Sequence, residues 1–241
     1  LRSAMEAQYD AIERQYQELF YQRALDQLRA ERFDQAEEYL QQALDLGFTS
    51  IMYDGSELPY EENLENTKKA VAMAAKTGAS VEAELGSMGR RESGAGDHSG
   101  AEDETKIYTD PKQAKEFVEA TGIDALACSF GTTHGIYLSE PRLDFDVVRN
   151  VRKETGNIPV VMHGGSGVST EDFHKAIHAG VRKINYFTYM DKSGGNAAEA
   201  YLKSLSDDEP RFFSSVIMEA GKAMKENVKA AMITFARRDE K

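Results

Sequence analysis

The chain has 241 residues, of which 41% are hydrophobic, and this is enough to build the core of one large α/β domain. Its formal net charge of −12 excludes non-specific binding to nucleic acid or to an anionic membrane surface, whereas a small anionic ligand responds to the local field instead. One cysteine excludes an intrachain disulfide, and the chain has no membrane-spanning apolar run and no signal-peptide core, so we expect a soluble, cytoplasmic protein.

Residues 1–46 differ in composition from the rest of the chain, because they contain no proline or glycine and are rich in glutamine, glutamate and tyrosine. Apolar residues recur there at helical spacing, which predicts two or three amphipathic helices. The last apolar stripe consists of Ala36, Tyr39, Leu40, Ala43 and Leu44. Residues 24–44 resemble one tetratricopeptide-type hairpin, and a lone repeat favours a hairpin that covers apolar surface over a peptide-binding module.

From Gly47 onward, short apolar runs alternate with helical segments, and we take 47–241 as a second domain. The runs predict strands over 48–53, 79–85, 125–130, 159–163 and 181–185. Helices are predicted over 61–77, 111–122, 145–155, 196–205 and 210–237, with one more after Ser169. Residues 86–110 are predicted to form a long polar loop. This alternation is typical of a parallel sheet whose polar strand ends collect at one face.

The stretch from Pro159 to Asn185 holds the strongest candidate site. A short apolar run ends in His163, and a glycine-rich segment precedes the next helix: it consists of Gly164, Gly165, Ser166 and Gly167. The backbone amides of such a loop bind phosphate without a cationic side chain, although a glycine loop by itself is as often a simple tight turn. The next apolar run ends at Asn185 and repeats the arrangement one βα unit later.

Five segments together resemble the class II, metal-dependent ketose-bisphosphate aldolases. They stand in family order within residues 42–241, and they read DGSELPYEEN at 54–63, VEAELG at 81–86, GTTHG at 131–135, HGGSG at 163–167 and KIN at 183–185. Several motifs in register are far more specific than one glycine loop. The resemblance implies a (β/α)8 barrel in which zinc polarises the ketone of dihydroxyacetone phosphate.

The resemblance also implies a set of metal ligands. His134 and His163 match two of the family's zinc histidines, and Glu82 and Glu84 match the acidic strand behind the metal. Neutral imidazoles keep Zn²⁺ electron-poor and leave a coordination position for substrate oxygens. Without the resemblance, a histidine at a strand end is more often a packed or solvated residue. If both glutamates faced solvent instead, Ala83 would be the core-facing residue of that strand.

Contacts with phosphate and ketose are implied for six residues, namely Gly164, Gly165, Ser166, Gly167, Asn185 and Thr188. Phe187 stands where the family usually has a second Asn or Asp, so we expect no such contact from its side chain. Glu92, in a glycine-flanked loop, matches the acid that transfers protons in the family's mobile loop, although an acidic loop is otherwise just solvated. Lys183 is better explained as a polar residue beside a strand than as a Schiff-base lysine.

The main departure from the family lies before residue 47. The family carries three βα units there, and one of their strands ends in His-Leu-Asp-His, which supplies the third zinc histidine and the aspartate that abstracts the substrate proton. Nothing in 1–46 matches that strand, His98 is the only histidine before His134, and Asp34 lies in a helical pattern. We therefore expect a partial or rearranged barrel of about five parallel strands, with a rate lowered by at least about 10²–10⁴.

Three interpretations of function follow. The chain is an active zinc aldolase of glycolysis or related carbohydrate metabolism, an aldolase-derived chain of impaired activity, or a binding module that uses its helical hairpin. The missing His-x-Asp-His strand favours the aldolase-derived chain of impaired activity. An inactive engineered chimera or scaffold is one form of that interpretation. The predicted ligands are zinc and a phosphorylated ketose or dihydroxyacetone phosphate, without nucleic acid or membrane.

A barrel without its first units leaves an open sheet edge. The strand at 48–53 would expose unpaired backbone groups and an apolar face, which is a liability unless another element covers it. We expect the helices of 1–46 to supply that cover, with a homo-oligomer as the alternative.

Overall fold

A computed structural model describes residues 33–86, 90–91, 108–132, 134–135 and 141–237, with backbone only for 33–35, 90–91 and 134–135. The helices in these ranges are α1 (Phe33–Asp45), α2 (Tyr60–Ala74), α3 (Pro111–Thr121), α4 (Phe145–Glu154), α5 (Thr170–Ala179), α6 (Thr188–Ser204) and α7 (Phe213–Phe235). The strands are β1 (Ser50–Tyr53), β2 (Ser80–Leu85), β3 (Arg90–Arg91), β4 (Ala125–Cys128), β5 (His134–Gly135), β6 (Val160–Met162) and β7 (Val181–Ile184). None of the described helices is long and apolar enough to span a membrane.

Five strands form one parallel sheet in the order β1-β2-β4-β6-β7, which confirms the predicted α/β fold. The order ends at β1 and at β7, so the sheet does not close within the described residues. Every residue of β6 is buried, as are the last three residues of β4, which is typical of parallel strands covered on both faces. The short strands β3 and β5 form a separate parallel pair that the sequence did not predict.

The chain divides into two compact units, one up to Ala83 and one from Glu84 onward. In the first unit, α1 contacts both β1 and α2. Leu40 and Leu44 of α1 are 8% and 4% exposed, as expected for the apolar stripe predicted there, whereas Tyr39, assigned to the same stripe, is 51% exposed. Residues 1–32, which make up the rest of that segment, lie outside the described ranges.

In the second unit, α3 shows how local sequence sets the ends of a helix. The side chain of Asp110 accepts hydrogen bonds from the backbone N–H groups of Lys112 and Gln113, and Pro111 occupies the first turn. Gly122 ends the helix with a φ of +73°, a left-handed conformation that suits glycine. Phe117 of this helix is fully buried in the core of the unit.

The predicted start of the sixth helix at residue 196 is wrong, because α6 begins at Thr188. The helix runs through Gly194 and Gly195. A Cβ atom at Gly194 would lie 2.8 Å from the sulfur of Met224 in α7, so the glycine allows the two helices to approach closely. The earlier start places Thr188 in the first turn of a helix.

Candidate metal and phosphate site

A buried imidazole and a buried carboxylate meet at the carboxyl ends of two strands of the second unit. His163 directly follows β6, and Glu84 lies near the end of β2. Nδ1 of His163 is 2.9 Å from Oε2 of Glu84, and both side chains are at most 3% exposed. A carboxylate at Nδ1 holds the ring in one orientation and leaves Nε2 as the nitrogen that can bind a metal ion.

Thr109 joins the ends of β2 and β4 beside this pair. Its hydroxyl donates a hydrogen bond to the carbonyl oxygen of Leu85 at 2.5 Å and accepts one from the N–H of Ser129 at 2.8 Å. Thr109 is 2% exposed, so both bonds lie in the interior. Thr109 was not among the predicted site residues, and its only local signal is its place just before the Asp110-Pro111 helix start.

Backbone hydrogen bonds tie the glycine loop to the end of β7. The N–H of Gly165 donates to the carbonyl oxygen of Asn185 at 3.3 Å, and the N–H of Asn185 donates to that of Met162 at 2.9 Å. Gly164 and Gly167 have φ values of +65° and +94°, which residues with a Cβ rarely adopt. The fold therefore brings Asn185 next to the loop.

The glycine loop also contacts the beginning of α6. The buried hydroxyl of Ser166 accepts a hydrogen bond from the N–H of Tyr189 at 3.3 Å. Thr188 is the first residue of the helix, and the exposed Phe187 before it makes no side-chain cap. A helix N-terminus presents backbone donors and the positive end of the helix dipole, so this corner favours a phosphate group.

The predicted metal and proton-transfer residues other than His163 and Glu84 are His134, Glu92 and Glu82. His134 lies in β5, whose backbone pairs with β3, but its side chain is outside the described part of the chain. Glu92 lies wholly outside it. Glu82 is 5% exposed and Ala83 fully buried, so the alternative that the glutamates of β2 face solvent is wrong.

The chemical types of the atoms described at this site suit a zinc ion. Imidazole nitrogen is a ligand that Zn²⁺ accepts, and a carboxylate beside the other ring nitrogen, as Glu84 is beside Nδ1 of His163, is the usual partner of a metal-binding histidine. The described residues contain no cluster of three or more His, Cys, Asp or Glu side chains that could hold a metal. Completion of the predicted site depends on His134.

The model of the family described as "Fructose-bisphosphate aldolase class-II" matches residues 31–240 of the chain. The chain belongs to the class II fructose-bisphosphate aldolase family. This confirms the resemblance found in the sequence motifs and extends it toward the N-terminus, since the motifs placed its start at residue 42. Metal dependence is typical of this family.

Individual relatives agree with this assignment. The chain is 41% identical over 202 residues to a fructose-bisphosphate aldolase of Staphylococcus aureus, a match that covers 82% of this chain and 66% of that protein. It is similar in structure to the YdjI aldolase of Escherichia coli, with 37% identity, a TM-score of 0.67 and coverage of 82% and 65%. A fructose-bisphosphate aldolase of Campylobacter jejuni matches with 26% identity, a TM-score of 0.62 and coverage of 81% and 63%. The chain thus spans slightly less than two thirds of the length of these relatives.

Proposed function

We propose that this class II aldolase chain takes part in the zinc-dependent, reversible cleavage of a ketose 1,6-bisphosphate to dihydroxyacetone phosphate and glyceraldehyde 3-phosphate. The observation that carries the proposal is the buried contact between His163 and Glu84, at 2.9 Å, in the same unit as the glycine loop. Family membership supports the reaction class, and the geometry of the loop supports a phosphorylated substrate.

His163 and Glu84 form the metal-binding part of the proposed site. When bound there, zinc would supply Lewis-acid polarisation of the substrate carbonyl. Nε2 of His163 would hold the ion, Glu84 would orient the ring through Nδ1, and His134 would add a second imidazole. Glu82, buried in the same strand as Glu84, would add negative charge behind the metal.

The loop from Gly164 to Gly167 and the first turn of α6 form the proposed phosphate-binding part. Amide groups of the loop bind the phosphate oxygens, and the side chains of Asn185 and Thr188 hold the ketose. Fixing the phosphate in this way places the reacting carbonyl at a set distance from the histidines, which lowers the entropy cost of the reaction.

We further propose that Glu92 moves a proton during the reaction, and that any aldolase chain without the family's proton-abstracting aspartate cleaves its substrate slowly. No residue of 1–46 matches the His-Leu-Asp-His strand that provides the family's proton-abstracting aspartate. Loss of a general base costs at least about 10²–10⁴ in rate. An inactive chimera or scaffold remains the alternative, and the same experiment tests it.

Zinc titration combined with an aldol-cleavage assay tests the function. We expect one zinc ion per chain, slow cleavage of fructose or tagatose 1,6-bisphosphate, and loss of both in His163→Ala. The matched control is His178→Ala, which removes an exposed histidine of α5. Equal zinc affinity in the two variants would contradict the metal site. Zinc binding without any cleavage would support the scaffold alternative instead.

A further inference from the structure

A cavity of about 270 Å³ lies between the end of the glycine loop and the helices α5, α6 and α7. Among the predicted site residues that the structure describes, only Gly167 lines it. Four aromatic side chains and two small ones form most of its walls, namely Phe173, Tyr186, Tyr189, Phe235, Ala230 and Ala231. The cavity therefore adjoins the proposed phosphate-binding part, with which it shares Gly167 and Tyr189, and aromatic rings form a large part of its wall.

Ring packing fixes the aromatic walls relative to one another. The ring of Phe235 packs edge-on against Phe173, with centroids 4.8 Å apart, and against Tyr186, with centroids 6.0 Å apart. A ring nitrogen of His174 lies 3.1 Å from the carbonyl oxygen of Thr234, which holds the end of α7 against α5. These contacts fix the positions of the three rings, so the aromatic part of the cavity wall is ordered before a ligand binds.

One pair of polar side chains in the lining determines which hydrogen-bonding group a ligand needs. The hydroxyl of Tyr186 donates a hydrogen bond to Oδ1 of Asn227 at 2.9 Å. This bond orients the amide and leaves its NH₂ group as a donor for a ligand. Burial raises the pKa of Tyr186, so the phenol remains neutral at physiological pH.

The residues that line the cavity include none with a charged side chain. The nearest cation that the structure describes at these rings is the ammonium of Lys192, which lies 5.8 Å from the ring centroid of Tyr189 and is not part of the lining. A charged ligand would lose part of its hydration in the cavity without an ion pair to a lining residue, which is costly. The volume exceeds the roughly 150 Å³ cavity that holds a benzene ring and lies just below the range of about 300–1,000 Å³ for drug-sized ligands. Charge and size together favour a small neutral molecule.

We propose that this cavity is a binding site for a neutral, planar ligand of one or two aromatic rings that carries a hydrogen-bond acceptor. The rings of Phe173, Tyr186 and Phe235 contact the aromatic part, and the NH₂ group of Asn227 donates to the acceptor. The site is independent of the aldolase reaction proposed above, so each proposal can fail without the other.

Titration with acetophenone, followed by NMR on the full chain, tests the site. Acetophenone is planar, neutral and carries a carbonyl acceptor, and benzoate is its charged counterpart. We expect acetophenone to bind with a Kd of about a millimolar or lower and benzoate to bind at least about tenfold more weakly. Absence of saturable acetophenone binding, or equal binding of the two probes, would overturn the proposal.

Two variants locate the binding. Ala231→Phe fills the cavity and should abolish acetophenone binding, whereas Ala200→Phe adds the same ring to an exposed position of α6 and should leave it unchanged. Asn227→Leu removes the hydrogen-bond donor and should lower the affinity for acetophenone by about tenfold. The affinity for ethylbenzene, which has no acceptor, should stay unchanged. Unchanged binding in Ala231→Phe overturns the site. If Ala231→Phe does not fold, Asn227→Leu provides the test instead. An unchanged ratio of its affinities for acetophenone and ethylbenzene would overturn the proposal.

Discussion

Glu84 lies in the interior beside His163, where its carboxylate and the imidazole are 2.9 Å apart. An ionised carboxylate is costly to bury unless it is paired, so its position beside a candidate ligand has a functional explanation. Partners of this kind fix the orientation and raise the basicity of metal-binding histidines. At the residue scale, we therefore expect zinc binding at the proposed site to depend on Glu84 as well as on the histidine.

Replacing Glu84 with glutamine should weaken zinc binding without large changes in packing. We expect the affinity to fall by about 10–100-fold, because the neutral amide holds the imidazole less firmly and removes a negative charge. Competition with a chromophoric chelator measures this affinity. Glu119→Gln, at an exposed position of α3, is the control and should match the unmodified chain. Equal affinities in the two variants would show that Glu84 has no role in the site.

Cys128 provides a second prediction at this scale. Burial, and to a smaller extent the charge of Glu84, raises the pKa of its thiol far above the usual value. Because the thiolate is the reactive form, we expect almost no labelling by a thiol reagent at pH 8 in the folded chain. In denaturant the single thiol should react fully. Rapid labelling of the native chain would contradict the buried position of β4.

At the scale of elements, the segment after β4 depends on one glycine. Gly131 has a φ of +106°, and a Cβ atom there would collide with the backbone carbonyl oxygen of Arg142. The same segment leads to β5 and so to His134. Its path is possible because no side chain separates the two stretches of backbone.

Gly131→Ala should therefore destabilise the fold by more than about 1 kcal/mol. The comparison variant is Gly195→Ala, in α6, where an added Cβ meets nothing within 4 Å and should stabilise the helix by roughly 0.5–1 kcal/mol. Urea unfolding followed by circular dichroism measures both. A Gly131→Ala variant as stable as the unmodified chain would mean that the loop has another conformation in solution.

A substitution in α1 tests the packing of the first unit in the same way. Leu44 is 4% exposed, whereas Leu46, just after the helix, is 79% exposed. Leu44→Ala leaves a cavity in the contact of α1 with β1 and α2, so we expect a loss of about 2–5 kcal/mol in unfolding free energy. Leu46→Ala should change it by less than about 0.5 kcal/mol. Equal effects would show that α1 does not cover this part of the core.

On the scale of the whole molecule, the division into two units matters for stability measurements. Glu84 and His163 both belong to the second unit. A ligand stabilises only the cooperative unit that binds it, by an amount that grows with the logarithm of its concentration over Kd. Zinc should therefore act on the thermal transition in which the strands that carry Glu84 and His163 unfold.

We expect zinc at about one hundred times its Kd to raise the Tm of that transition by roughly 5–10 °C relative to chelated protein. Scanning calorimetry measures the shift and separates the two transitions if both are present. Magnesium, which binds imidazole poorly, serves as the control ion. The shift should vanish in His163→Ala, and an undiminished shift in that variant would place the metal elsewhere.

Much of the fold follows from local sequence. The apolar runs that predicted β4 and β6 form buried strands, and the sequence around Asp110 and Pro111 begins α3 where expected. These features depend on side chains within a few residues of one another. The predicted start of α6 at residue 196 was eight residues late. The contact that explains a glycine inside this helix, the close approach of Gly194 to Met224, joins residues thirty positions apart and leaves no local signal.

The sequence by itself determined the family and the order of the helices and of the five strands of the main sheet. It also predicted His163, the glycine loop and Asn185 as site residues, because motif spacing and hydrophobic period can be read along the chain. Only the tertiary structure decided that Glu84 contacts the imidazole of His163, that Thr109 joins β2 to β4, and that an aromatic cavity lies beside the loop. Those contacts join residues that are distant in the chain. The sequence around one residue of such a pair does not indicate the other residue. The contacts form only when the sheet brings the strand ends together.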